Sequence, residues 1–365
     1  MDAGWVRGSV AAGTVAACVV VGVALLTARA TDRLDGPLGI GRHLSPSSEL
    51  YAVNADGTGR ARLTHEPGRL HWGPAWSPDG RTLAYTFAEP PAPGQLVLTN
   101  PDGTDRRPLT TDDRGGYLPA WSPDGARIAY LAQRGGDTAT AELMVIGADG
   151  TSPRQLTSND AQEYGASWSP DGRRLAVGSK RDGTWRVYLM DADGADARPL
   201  PGTERGNAPA WSPDGRTIAF TSNRTGTDAI YVVDAGGGEA RRLTGGDRHH
   251  DNAVWSPDGR RLAFNADRDG ANDLFVMDAD GTNLRNLTRT ADLAEVVATW
   301  SPDGERLVVA ANPIDRDALW PGAVLRALGI GLLAGLATAA LLAPRRRRRA
   351  PLNPARPGAG GAPGA

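Results

Sequence analysis

The chain has 365 residues, 40% of them hydrophobic and 22% charged, with a formal net charge of −2. That apolar fraction and near-neutral balance exclude a chain disordered throughout, and the lack of a basic excess excludes a general nucleic-acid binder. A lone cysteine, Cys18, excludes an intramolecular disulfide framework, while 47 glycines and 27 prolines announce many turns.

Residues 9–28 carry no charge over twenty positions, enough for a helix to cross a bilayer, with Arg7 before them and Arg29 after. Residues 1–30 therefore read as an N-terminal transmembrane anchor or as a signal peptide, for which Ala28-Arg29-Ala30 fits the cleavage pattern. Val15-Ala16-Ala17-Cys18 superficially matches a lipoprotein box, but the apolar run continues for eight residues past the cysteine. A linker, 31–48, follows.

The body, residues 49–312, is one motif repeated. Trp-Ser-Pro-Asp-Gly occurs at Trp76, Trp121, Trp168, Trp211, Trp255 and Trp300, at spacings of 45, 47, 43, 44 and 45 residues. After each glycine comes an apolar stretch such as RTLAYTF from Arg81 or RRLAFNA from Arg260, with the composition of a half-buried strand. A polar turn follows, then a second strand such as VYLMD from Val187 or IYVVD from Ile230, then Ala-Asp-Gly or a relative, then a short strand ending near Leu-Thr. In Ser-Pro-Asp-Gly, proline presets φ, Ser and Asp bond nearby N–H groups, and Gly accepts positive φ. Each repeat thus reads as two hairpins, the four-stranded blade of a β-propeller.

The ends of the body fix the blade count. The sixth tryptophan hairpin (300–312) lacks a second hairpin, whereas 49–64 is a second hairpin lacking a first. Joined, they complete one blade. The expected fold is an all-β six-bladed propeller with a shared closing blade, flanked by N- and C-terminal hydrophobic helices.

Beyond the body lie a second linker, 313–322, an apolar run at 323–343 that reads as a transmembrane helix, and a tail, 344–365, expected to be disordered. Arg345 to Arg349 directly follow the apolar run, which places the tail in the cytoplasm and the body outside it. The charge balance fits this division: the body holds 28 Lys+Arg and 37 Asp+Glu, the flanks 12 and 5. A cell-wall sorting signal is excluded because no LPxTG precedes the run.

On the Trp-Ser-Pro-Asp-Gly repeats and their Asp-Ala-Asp-Gly turns, residues 49–312 resemble the WD40-like propeller repeats of the TolB family. That resemblance implies a six-bladed propeller working outside the cytoplasm with a habit of binding proteins; TolB itself contacts a lipoprotein. This chain departs from TolB in having only a short linker where TolB has an α/β domain, and in its C-terminal apolar run.

Catalytic signatures are absent: no G-x-S-x-G elbow, P-loop, H-E-x-x-H, C-x-x-C or dinucleotide fingerprint occurs. The residues four and five positions before each motif tryptophan should share one channel mouth by register. They are His71, Trp72, Tyr117, Glu163, Tyr164, Asn207, His250, Asp251 and Glu295, a set mixing aromatic surfaces, carboxylates and imidazoles. Within it His71, His250, Asp251 and Glu163 are the candidates should a metal bind, although no cofactor is assigned. Asp191-x-Asp193-Gly-x-Asp196 lacks the remaining chelating positions of a calcium loop and reads as a turn. The expected function is a membrane-anchored extracytoplasmic scaffold that binds an envelope protein or cell-surface component at the channel mouth, touching lipid through its terminal helices and no nucleic acid. The alternative is an extracytoplasmic carbohydrate-active lyase or hydrolase with its site at the same mouth.

Overall fold

The computed structural model describes residues 47–313, apart from 91, 135–136, 160, 269–270 and 291. They lie in one compact unit, Val21–Arg316. The apolar runs at 9–28 and 323–343, Cys18, His43 and the basic tail lie outside the described residues. Among the described residues no helix is long and apolar enough to cross a membrane.

Among the described residues, twenty-four strands form six four-stranded antiparallel sheets. The chain starts with β1 (Glu49–Asn54) and β2 (Ala61–Arg62). Five blades of consecutive strands follow. Blade 1 holds β3 (Leu70–Trp76), β4 (Leu83–Ala88), β5 (Gln95–Thr99) and β6 (Arg107–Pro108). Blade 2 holds β7 (Tyr117–Trp121), β8 (Arg127–Arg134), β9 (Asp137–Gly147) and β10 (Arg154–Gln155). Blade 3 holds β11 (Glu163–Trp168), β12 (Arg174–Ser179), β13 (Arg186–Asp191) and β14 (Arg198–Pro199). Blade 4 holds β15 (Gly206–Trp211), β16 (Thr217–Ser222), β17 (Ala229–Asp234) and β18 (Arg241–Arg242). Blade 5 holds β19 (His250–Trp255), β20 (Arg261–Arg268), β21 (Ala271–Asp278) and β22 (Arg285–Asn286). Last come β23 (Leu293–Trp300) and β24 (Arg306–Pro313), which meet β1 and β2 in the order β2-β1-β24-β23. Blade 6 is therefore stitched from both ends of the body, with Glu49 opposite Ala311 and Asn54 opposite Arg306. Each outermost strand is two residues long, which leaves little edge for another chain to pair with.

The core lies between blades. Each of six apolar clusters fills one seam: Leu96 and Leu98 meet Ile128 and Tyr130 between blades 1 and 2, and Leu50 and Val308 meet Trp76, Leu83 and Tyr85 between blades 6 and 1. Alternate side chains of one strand feed opposite seams, Ile128 and Tyr130 facing blade 1 while Ala129 and Leu131 face blade 3. The second strands are consequently buried on both faces, not half-buried as their composition suggests. A sheet covered on both sides needs an unbroken apolar run, and IAYL is one.

The turns close rings around the molecule. In every Trp-Ser-Pro-Asp-Gly copy the serine hydroxyl donates to the aspartate at 2.5–2.6 Å and accepts the N–H five residues on at 2.9–3.0 Å. That hydroxyl bond holds each of the six carboxyls below the usual aspartate range. The six glycines sit at φ of 68–71°, and each lies beside the proline of the neighbouring turn, Gly80 beside Pro302 closing the circle. The recurrent Leu-Thr also has a job. Thr64, Thr110, Thr157, Thr244 and Thr288 each accept a backbone N–H of their blade's third strand, from Leu50, Leu96, Leu143, Ile230 and Leu274, at 2.9–3.0 Å. In four of the six seams the motif indole donates to a carbonyl of the preceding blade at 3.1–3.3 Å, as Trp121 does to Ala75.

One glycine tests how tightly neighbouring blades approach. A Cβ on Gly103 (φ 85°) would stand 2.2 Å from the Leu63 carbonyl oxygen of blade 6, whereas one on Gly68 (φ 79°) would meet nothing. Gly103→Ala is expected to cost about 3 kcal/mol and Gly68→Ala about 1 kcal/mol, the difference being the blocked approach. Denaturant midpoints of the two variants check this; equal losses would remove the contact from the account.

Candidate functional site

The six inner strands surround a channel cavity of about 300 Å³. Its wall is built from the three residues before each tryptophan: Gly73-Pro74-Ala75, Leu118-Pro119-Ala120, Gly165-Ala166-Ser167, Ala208-Pro209-Ala210, Asn252-Ala253-Val254 and Val297-Ala298-Thr299. Tyr164 stands at the end where the inner strands begin, and Pro78 at the end where they turn. Among the described residues no charged side chain lines this space; its polar side chains are Tyr164, Ser167, Asn252 and Thr299, with the Trp76 and Trp121 indoles.

A repeated irregularity shapes the wall. Every inner strand shifts register between the fourth or fifth and the first or second residue before its tryptophan, as between Trp72 and Ala75 or Asp251 and Val254. At the third residue before it, five blades enter the left-handed region: Gly73 (φ 59°), Leu118 (51°), Gly165 (64°), Ala208 (46°) and Asn252 (54°). Glycine takes that conformation freely, but Leu118 and Ala208 hold it at a cost of about 1 kcal/mol or more. Bulges of this kind bend a strand and re-aim its side chains.

Of the nine residues expected at the mouth, the structure brings Tyr164 and Asp251 together there. The Tyr164 hydroxyl donates to Asn252 Oδ1 at 3.1 Å, reaching from blade 3 to blade 5 across blade 4. Burial raises this phenol out of its ordinary range, and the Asp251 charge adds to the effect. Asp251 is half-buried; loss of hydration, with the Asp228 carboxylate as second cause, pushes its carboxyl up to about 7. Asp228 also contacts His249 Nδ1 at 3.0 Å. Trp185 meets Tyr164 edge-on at 6.3 Å. Asn207 is half-buried beside Gly178 of blade 3, whose missing side chain makes room for it.

The other six point into seams. His71 is fully buried, with Nδ1 2.7 Å from the Ser48 carbonyl and Nε2 3.1 Å from Glu66 Oε2. It latches the first residues of the body onto blade 1, since Ser48 also donates its hydroxyl to the His71 carbonyl at 2.9 Å. Trp72 packs edge-on against Tyr117 at 5.8 Å, and the Tyr117 hydroxyl accepts from the Gly94 N–H and from Gln133, both at 3.0 Å. Glu163 is buried with one oxygen accepting from Asn159, Ser179 and Arg181; burial raises its pKa. His250 is buried against Phe264, and burial lowers its pKa. Glu295 accepts from Thr290 at 2.8 Å and is pushed up to about 7, first by burial and then by Asp273. Successive residues of a strand face opposite ways, so the fifth-position side chains, His71, Glu163, His250 and Glu295, face away from the channel end at which fourth-position Tyr164 stands. The four metal candidates are scattered accordingly: among the described residues no three His, Cys, Asp or Glu side chains are grouped to hold an ion.

Sequence reasoning missed Asn252 and the left-handed ring. The available signal was Gly-Pro at Gly73-Pro74 and the glycine at Gly165, both ahead of a tryptophan. A second groove, of about 260 Å³, lies between the outer parts of blades 3 and 4, beside Asp196, Arg198, Leu200 and Ala235, away from the channel.

A family model described as the TolB beta propeller domain matches residues 41–207 and 200–318. Among solved structures, a TolB from Agrobacterium tumefaciens is 25% identical with a TM-score of 0.62, over 75% of this chain and 100% of that one. TolB from Acinetobacter baumannii is 18% identical with a TM-score of 0.56, over 73% of this chain and 64% of that one. A chain of a nidogen–laminin complex, 13% identical with a TM-score of 0.51 over 72% and 98%, shares the fold. No curated protein sequence matches this chain.

Proposed function

We propose, from the premise that this chain belongs to the TolB beta propeller domain family, that it is a membrane-tethered, extracytoplasmic scaffold whose channel mouth takes a segment of an envelope protein. One observation carries the reading: among the described residues the channel is lined by no charged side chain, and its mouth is crossed by the side-chain bond from Tyr164 to Asn252. Such a bond contributes about 1 kcal/mol net, so a partner segment that supplies its own donor and acceptor displaces it at little cost. The small residues of the wall leave width for a slender chain, and apolar contact supplies affinity without a charge to desolvate. The tether follows from the uncharged runs at 9–28 and 323–343 and from Arg345 to Arg349.

Photo-crosslinking from position 297 on the channel wall, in intact membranes, tests the reading. The full chain is expected to yield one dominant protein adduct, reduced at least tenfold by Tyr164→Ala, while a probe at position 260, in a motif turn on the opposite face, yields none. Equal adducts from both positions, or insensitivity to Tyr164→Ala in a folded variant, would sink it.

A further inference from the structure

We infer that the propeller presents its channel mouth to the bilayer, so that its partner is a protein segment carried on the same membrane. The inference rests on the tether reading above and on where the body's chain ends leave the fold. β24 runs from the turn at Asp303 to Pro313, and Pro313 pairs with Leu293 at the start of an inner strand. Glu49 opens β1 opposite Ala311, and Ser48 is bonded to His71, near the start of β3. Both ends therefore emerge on the mouth face, from neighbouring strands of blade 6. The opposite face carries the six motif turns and the Asp-Gly turns.

Reach favours this orientation over its inverse. The linker 313–322 has ten residues and spans at most about 35 Å when fully extended. To turn the mouth away from the membrane, that segment would first cross β1 and β2, about 10 Å, and then descend the depth of an eight-residue strand, about 27 Å. The path consumes the whole linker before it reaches lipid. The result holds whether or not residues 1–30 are cleaved, because the shorter C-terminal tether sets the limit.

The chemistry of the channel favours a protein partner. The polar groups of the channel, Tyr164, Asn252, Ser167 and Thr299, match the donors and acceptors of a peptide backbone. A lipid chain that parted Tyr164 from Asn252 would leave both unpaired at a cost of about 1–3 kcal/mol each.

The full chain, with Cys18→Ser and one added cysteine, reconstituted in phosphatidylcholine vesicles bearing a headgroup nitroxide, provides the test. A fluorophore at Ser158→Cys on the mouth face is expected to be quenched at least threefold more than one at Arg260→Cys on the turn face. Equal or reversed quenching in protein that stays with the vesicles through an alkaline wash overturns the orientation alone. Release of the protein by that wash overturns the tether reading itself. In the crosslinking experiment from position 297, an adduct with a membrane-anchored protein is expected; adducts with lipid only, or with a soluble protein only, overturn the partner assignment.

Discussion

Deleting residues 47–64 is expected to abolish cooperative unfolding of the propeller. The segment supplies β1, whose six residues pair along β24, and it places Leu50 and Val53 in two different seams. Burying those two side chains contributes about 1.5–3 kcal/mol each. Its loss also removes the Ser48–His71 latch, the Thr64 hydroxyl bond to the Leu50 N–H, and the Glu49 carboxylate that pairs with Arg62. The sum, about 5 kcal/mol or more, is of the order of a whole domain's stability. Blade 6 would be left as two strands with β24 as an open edge. A circular permutant restores the architecture, because Pro313 and Glu49 lie at the same end of paired strands; a short loop from 313 to 47 makes β24 and β1 a hairpin. Tryptophan fluorescence and circular dichroism should give non-coincident transitions for the deletion and one shared transition for the permutant. A deletion that melts in a single transition within a few degrees of the parent contradicts the closing blade's role.

The blade count and the shared blade were legible because Trp-Ser-Pro-Asp-Gly uses turn chemistry that leaves few alternatives. Each serine, proline, aspartate and glycine does in the structure what local stereochemistry asks. The channel was less legible. A simple strand register puts fourth- and fifth-position residues at one mouth, whereas the structure turns His71, Glu163, His250 and Glu295 into seams. Glycine at Gly73 and Gly165 hints at a left-handed residue, but Leu118 and Ala208 adopt the same conformation with no compositional sign. There the ring imposes the conformation: Leu118 donates its N–H to Thr86 of blade 1, as Asn252 does to Thr221 of blade 4. Contacts between blades, hundreds of atoms away from the local sequence pattern, decide those φ values.

Glu295→Gln is expected to flatten the fall of stability with rising pH. The carboxyl is 1% exposed, one oxygen accepts from Thr290, and Asp273 stands close enough to disfavour a second charge. Burial and that neighbour lift its pKa from 4.5 to about 7. A raised carboxyl favours the neutral form, so its stabilising contribution is complete below the unfolded value of 4.5 and is lost as pH climbs to 7. A shift of this size corresponds to about 3 kcal/mol at most. The motif aspartates act in the opposite direction, but their lowered values confine that effect to pH below 3.8. Asp251, also raised to about 7, contributes in the same window as Glu295, so Asp251→Asn is the companion variant. Glutamine keeps the Thr290 contact without a charge, and any cost of its amide is the same at every pH. Urea unfolding at pH 5 and pH 8 should therefore show the variant gaining about 2–3 kcal/mol on the parent between the two conditions. Parallel pH profiles for parent and variant would mean that Glu295 keeps its charge in the seam.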